Sequence, residues 1–179
     1  MHLDGLIDTA DGLGAGRKKQ LEAMKDSRIG AIGLLVVLSI ISIQIASLLK
    51  LDEYSPLAIS IALFYGRFSA LWAIGFFPYL QKETIAGSHQ IHWKGYIIES
   101  KVSFFLILAS ISLILISPIN YVLRLKLIIS TFIGIFTSIF IPHKLGKILG
   151  GHNGDSYGAC VVLVETLMLF MQAIILTAI

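Results

Sequence analysis

An all-α bundle of membrane-spanning helices is the fold class that this 179-residue sequence predicts. Three observations predict it. Hydrophobic residues make up 56% of the chain and charged residues 14%, where a soluble domain carries about 25% charge. The apolar residues fall in runs close to the ~20 residues that a helix needs to cross a bilayer. Between the runs lie short polar pieces rich in Gly, Pro, His and Lys. Amides in hydrocarbon have no water to bond, so each run is read as a helix. With Cys160 the one cysteine, an internal disulfide and a cysteine-based metal knot are both excluded.

The elements follow in order. Residues 3–13 read as an amphipathic helix, stopped by Gly14 and Gly16. The first span covers about 29–49, and the second starts after Pro56 and ends near 80. The third covers 96–117 and stops at Pro118; the fourth covers 120–141 and stops at Pro142; the fifth runs over 157–179. These give about five spanning helices in a single domain over 1–179. Orientation follows from Lys and Arg. Ten of them (Arg17, Lys18, Lys19, Lys25, Arg28, Lys82, Lys94, Lys101, Lys144 and Lys147) fall on one side, and three (Lys50, Arg124 and Lys126) on the other. The ten-residue side is expected to face the cytoplasm. All five histidines fall there too. The net charge of +3 is therefore spread along a membrane surface, which argues against a nucleic-acid partner.

Asp4, Asp8 and Asp11 are the chemistry-bearing residues of the first helix. At 100° per residue they lie within about 60° of one another, with Leu3, Leu6, Ile7, Ala10 and Leu13 opposite. Clustered carboxylates repel unless a cation sits between them. Magnesium suits such a set, because it combines one or two carboxylates with substrate phosphates. Gly5 and Gly12 leave that face short of bulk, so a large ligand is expected to approach it. The following KDSR stretch, Lys25, Asp26, Ser27 and Arg28, together with Arg17, offers cations suited to a pyrophosphate. Lys18 and Lys19 read as ordinary juxtamembrane charges.

GGHNGDSYG, residues 150–158, is a glycine-rich turn at a helix start. Asp155 or Ser156 is expected to cap that helix, and its free amides suit phosphate oxygens. Gly151, His152 and Asn153 are candidate ligand contacts. No Gly-Lys-Ser/Thr follows, so it is not a P-loop. Arg67 and Glu165 lie deep in spans two and five. Charges so placed mark a site or a pair: Glu165 orients a ligand group and Arg67 supports the acidic site, or the two form a structural ion pair. His89 and His92, near Trp93, read as a loop against lipid headgroups rather than a zinc pair, and Tyr79 as an interface anchor.

HLDGLIDTADGLGAGR (2–17) followed by MKDSRIGAIG (24–33) resembles the adenosylcobinamide-GDP ribazoletransferases, also called cobalamin 5'-phosphate synthases. GRFSALWAIGFFPYLQKE (66–83) looks like that family's arginine-bearing span ending in Pro-Tyr. GGHNGDSYGA (150–159) looks like its Gly-Gly-x-Thr-Gly-Asp motif, with Asn153 in place of the threonine. The resemblance implies a membrane enzyme of cobalamin biosynthesis with magnesium as its metal. The ribose 3'-hydroxyl of α-ribazole, or of its 5'-phosphate, attacks the phosphorus attached to cobinamide in adenosylcobinamide-GDP, and GMP leaves. On this reading Asp4, Asp8 and Asp11 hold the metal, Lys25 and Arg28 neutralise phosphate, and Asp26 or Asp155 accepts the hydroxyl proton. Arg17, Ser27, Arg67, Gly151, His152, Asn153 and Glu165 bind substrate. The family usually carries further hydrophobic segments before its His-x-Asp-Gly motif, so the expectation is an N-terminally shortened chain in the bacterial inner membrane, with homo-oligomers possible.

Two rivals carry less. The CDP-alcohol phosphatidyltransferases also place Asp-x-x-Asp-Gly beside a span, matching Asp8, Asp11 and Gly12. Gly16 then stands where their arginine is expected, and their later Gly-x3-Asp-x3-Asp is absent. A transporter built on Arg67 and Glu165 would need charges through both leaflets, and here they cluster on one side.

Overall fold

A computed structural model describes residues 2–80 and 93–178; Lys82, His89 and His92 lie outside the described residues. The elements are α1 (His2–Gly14), α2 (Gln20–Ala23), α3 (Ala31–Leu51), α4 (Ser55–Phe76), α5 (Tyr96–Glu99), α6 (Lys101–Ile116), α7 (Tyr121–Leu149) and α8 (Gly154–Ile175). A 3-10 turn over Asp52–Tyr54 joins α3 to α4. Three continuous helical stretches are long and apolar enough to cross a membrane: Ala31–Phe76, Tyr121–Leu149 and Gly154–Ile175. The first is two helices of 21 and 22 residues, broken where Asp52 takes a φ of 46°. α6 is apolar but shorter, at 16 residues.

α8 is the axis of the bundle, and α4, α1, α7 and α3 all pack on it. Its composition allows this, since Gly158, Ala159, Cys160 and Ala173 are buried along it. Lipid tails are as apolar as leucine, so small residues and interhelical hydrogen bonds, not hydrophobicity, join helices in a membrane. Accordingly Ala58, Ala62, Ser69 and Ala73 of α4 and Ser130, Gly134 and Ser138 of α7 are buried. Ser138 Oγ donates to the Tyr65 carbonyl at 2.9 Å, and Gln44 Nε2 to Thr166 Oγ1 at 2.8 Å. Bonds of this kind contribute about 0.6 kcal/mol each. The large apolar side chains point outward instead, with Leu35 65% and Ile116 82% exposed, and form the lipid-facing surface.

Three boundaries differ from the sequence reading. Pro142 does not end its helix, which continues to Leu149. A proline inside a membrane helix is tolerated where neighbouring elements pack on it, and the glycine loop is fastened there, with His152 Nε2 donating to the Pro142 carbonyl at 3.0 Å. The third apolar run is divided at Ser100, between α5 and α6. α8 begins at Gly154, three residues early, because Asn153 rather than Asp155 or Ser156 caps it.

The two ends of the bundle have different chemistry. One end carries α1, α2 and the loops at 77–80 and 150–153, tied together by Gln20 Nε2 to the Leu149 carbonyl at 3.4 Å and by the pairing of Pro78 with His152. The other carries the Asp52–Tyr54 turn, the turn before Tyr121 and the end of α8, where Lys126 Nζ donates to the Leu176 carbonyl at 3.2 Å. Among the described residues, the division of cations, nine against three, is thus a division between these ends.

Candidate functional site

α1 lies across the first turns of α8. At Gly5 a Cβ would stand 2.5 Å from the Asp155 carbonyl oxygen, so only glycine lets the two backbones come this close. The buried side of α1 is Gly5, Leu6, Thr9, Ala10 and Gly12, while Leu3 and Leu13 are 41% and 37% exposed. The expected apolar half is therefore rotated toward the glycines. Their role is corrected with it: the space over Gly5 and Gly12 is filled by Asp155, Gln20 and Met24, not left for a ligand.

This seam brings acids from both ends of the sequence into one field. The Asp8 carboxyl is pushed up to about 6, first by its own partial burial and then by the charges of Asp155, Asp4 and Asp11. Asp155 is held in turn by Asn153, whose Nδ2 donates to Oδ2 at 3.1 Å. The same Asn153 accepts from the Ser156 N–H at 2.9 Å, and Ser156 Oγ accepts from the Asn153 N–H at 2.8 Å, forming a capping box.

Asp11 has a second duty. Its Oδ2 accepts the Gly30 N–H and its Oδ1 the Gly33 N–H, both at 2.8 Å. Gly30 is the residue before α3, so Asp11 caps α3 from another helix and satisfies two of its orphan donors. An ionised carboxylate has about four acceptor positions, so Asp11 keeps capacity for a cation.

Arg67 and Glu165 form an ion pair between α4 and α8, with the arginine side chain 56% and the glutamate 16% exposed. His2 packs over Gly158. Its imidazole is held below its usual value by burial and then by the Arg67 charge. His2 was not a sequence candidate, although it opens the His-x-Asp-Gly motif.

The 150–153 loop builds the site more than it lines it. His152 is fully buried; Nε2 donates to Pro142, and Nδ1 meets Ser156 Oγ at 3.0 Å. Burial lowers its pKa, so it is a neutral strut. The expected substrate contact is corrected on this ground, and Asn153, 1% exposed as the cap, is corrected likewise. Gly151, at a φ of 154°, sits where a Cβ would be 2.5 Å from the Pro78 carbonyl oxygen.

Arg17, Lys25, Asp26, Ser27 and Arg28 are exposed. Among the described residues, no contact joins them to the acids except through Gly30 on Asp11. Arg28 grips Asp26, with Nη2 to Oδ2 at 2.7 Å and Nε to Oδ1 at 3.0 Å. The hydrogen bonds from Arg28 hold the Asp26 carboxyl at about 2. A carboxylate so stabilised is a weak base, which corrects the expectation for Asp26.

No three His, Cys, Asp or Glu side chains among the described residues stand close enough to hold a metal ion unaided. Magnesium asks for less, since waters and substrate phosphates complete its shell. The donor chemistry fits: Asp4, Asp8 and Asp11 are hard oxygen donors, and Asp8, raised first by burial, also feels the charges of Asp155, Asp4 and Asp11.

Fold and site together define a polytopic membrane protein with an acidic centre at one end of its bundle. The family model for cobalamin-5-phosphate synthase matches residues 1–173. An adenosylcobinamide-GDP ribazoletransferase of Prochlorococcus marinus is 46% identical over 99% of this chain and 69% of its own length. Proteins of the same name from a second strain of that species, MIT 9303, and from Thermosynechococcus vestitus are 43% and 36% identical, over 99% and 94% of this chain and 69% and 65% of their own lengths. The chain belongs to the cobalamin-5-phosphate synthase family. No solved structure matches it.

Proposed function

We propose that the chain transfers the phosphocobinamide group of adenosylcobinamide-GDP to α-ribazole or its 5'-phosphate, at a site on the cytoplasmic face of the bacterial inner membrane. The observation that carries this is the meeting of the α1 acids with Asp155, because it joins the family's two motif regions into one centre. The reaction forms a bond from the ribose 3'-hydroxyl to the phosphorus attached to cobinamide. The bond from that phosphorus to GMP breaks, and the hydroxyl proton passes to a carboxylate.

In phosphoryl transfer a protein mostly positions groups and neutralises charge. Asp4 and Asp8, with the remaining capacity of Asp11, are the residues that would hold magnesium. When bound, it supplies the positive charge that offsets the developing charge on the phosphate oxygens. Asp155, at the seam and steadied by Asn153, accepts the hydroxyl proton. Arg67, aimed by Glu165 and half-exposed, binds a phosphate oxygen. Arg17, Lys25, Ser27 and Arg28, the last still paired with Asp26, meet the outer part of the nucleotide. The ten-to-three excess of Lys and Arg at this end supports the cytoplasmic orientation.

The test is GMP release from adenosylcobinamide-GDP and α-ribazole by the protein in liposomes. Release that needs magnesium and is lost in Asp8→Asn is expected. Release that ignores magnesium and persists in Asp8→Asn would refute the site.

A further inference from the structure

We propose that the end of the bundle opposite the acidic site holds one phospholipid, with an acyl chain in the groove between α4, α6 and α7 and the headgroup phosphate on Arg124. This goes beyond the transferase reading and does not depend on it. α6 packs on α5 and α7, and the space it leaves toward α4 is a groove of about 370 Å³. Leu57, Ile61 and Phe64 of α4, Leu106 and Leu113 of α6 and Leu127 of α7 line it. The hydroxyls in its wall are turned back on their own helices. Ser60 Oγ donates to the Pro56 carbonyl and Ser110 Oγ to that of Ile107, both at 2.8 Å, and Thr131 Oγ1 to that of Leu127 at 3.0 Å. These groups need nothing from a ligand, so hydrocarbon can cover them without loss. Size selects the occupant. At 1.5 Å per residue the Leu57–Tyr65 interval of α4 is about 12 Å long, so the mean cross-section of the groove is about 30 Å². A further helix, about 10–12 Å across with its side chains, needs about three times that. One extended hydrocarbon chain does not.

Arg124 stands at the end of this groove. It lies one turn before Leu127 on α7, and its Nη2 donates to the Ser117 carbonyl at 3.0 Å, just past Leu113 and Ile114 of α6. That bond uses one of five guanidinium donors. Nη1 makes no hydrogen bond among the described residues, and the buried Nε has no acceptor. The ion pairs among the described residues are Arg28–Asp26 and Arg67–Glu165, so no carboxylate answers Arg124. Lys126, its neighbour, is engaged with the Leu176 and Ala178 carbonyls. An unpaired charge at the edge of hydrocarbon is costly, and a headgroup phosphate supplies both the acceptor and the countercharge in the geometry that a guanidinium matches. The depth agrees. Tyr121, 73% exposed, opens the same helix, and tyrosines gather at the headgroup level. Arg124 is about 4.5 Å further in, a distance its own side chain can reach back across.

The test is native mass spectrometry of the full chain, stripped of lipid in detergent and titrated with phosphatidylglycerol. Diacylglycerol, which has the chains without the phosphate, and glycerol phosphate, which has the phosphate without the chains, are titrated beside it. One phosphatidylglycerol per chain is expected, with diacylglycerol about 10-fold weaker or more and glycerol phosphate not retained. Arg124→Gln weakens phosphatidylglycerol about 10-fold and leaves diacylglycerol as it was. Arg124→Lys, which keeps the charge without the fork, falls between. Ser110→Phe fills the groove from an exposed position and weakens both lipids about 10-fold or more. The lipid-free melting temperatures of Arg124→Lys and Ser110→Phe stay within about 2 °C of wild type, which separates lost binding from lost folding. Wild-type phosphatidylglycerol affinity in Arg124→Gln or in Ser110→Phe would overturn the proposal. So would dimers of the chain that retain no lipid and come apart in Ser110→Phe. If Arg124→Gln does not fold, the preference for phosphatidylglycerol over diacylglycerol in wild type, and its reduction in Arg124→Lys, decide the matter. None of these readouts uses GMP release, so they stand or fall apart from the transferase reading.

Discussion

Replacing Asp11 by alanine separates two roles that the acidic helix combines. In the fold, Asp11 accepts the N–H groups of Gly30 and Gly33 at 2.8 Å each and joins α1 to the start of α3. Asp11→Ala orphans both donors. Gly33 is buried, so its N–H loses its partner with no water to replace it, at about 1–3 kcal/mol. Gly30 is partly exposed, and water recovers some of the loss, leaving about 0.5–1 kcal/mol. The total of about 1.5–4 kcal/mol corresponds to a drop of about 3–16 °C in melting temperature for a chain of this size. Asp4→Ala is the control. Asp4 is exposed and makes no hydrogen bond among the described residues, so its removal shifts melting by less than about 2 °C. The assay is thermal unfolding in detergent without divalent metal, followed by tryptophan fluorescence or circular dichroism. Equal melting temperatures for Asp11→Ala and Asp4→Ala would refute the reasoning, because Asp11 would then not be fastening α3.

Asp8 makes stability depend on pH. Its carboxyl titrates near 3.8 when unfolded and near 6 in the fold, so the folded state keeps its proton to higher pH. The metal-free protein therefore loses stability as pH rises from about 4 to about 6, by about 1 kcal/mol after allowance for solvent screening. Asp8→Asn flattens that slope. Gly151→Ala meets the Pro78 carbonyl oxygen and a φ of 154°; it is expected to cost about 1–3 kcal/mol in unfolding measurements and to loosen Tyr79. In a double-mutant cycle, Arg67→Leu and Glu165→Gln are expected to show a coupling of about 0.5–3 kcal/mol, since each leaves the other unpaired.

Much of this was legible in the residues, and the failures have physical causes. Apolar run length fixed the helical class, because hydrocarbon leaves the backbone no alternative. Counting cations put the opening acids and the 150–158 turn at one end, and Gly5 against Asp155 bears that out. The rotation of α1 was not legible. Periodicity finds the apolar half of a helix, but close packing chose the glycine edge instead. Pro142 misled because its punctuating effect is local, while the loop that packs on that turn, through His152 on the Pro142 carbonyl, lies in another element. His152 and Asn153 looked like ligand contacts because polar residues in a glycine loop read the same whether they face outward or inward. Tyr79 is the reverse case. Its Pro-Tyr context suggested a membrane interface, and only the structure shows its segment paired with the glycine loop at His152.

On the proposed function, the acids of α1 hold one divalent ion and Asp155, from the other end of the sequence, stands beside it in the same field. Titration of Mn2+ into the purified protein, followed by EPR, tests it most directly when wild type is compared with Asp8→Asn and Asp155→Asn. The account predicts one ion per chain, bound more tightly in the presence of a pyrophosphate-containing nucleotide, and weakened about 10-fold or more by either substitution. Wild-type Mn2+ affinity in Asp155→Asn, with or without the nucleotide, would contradict it.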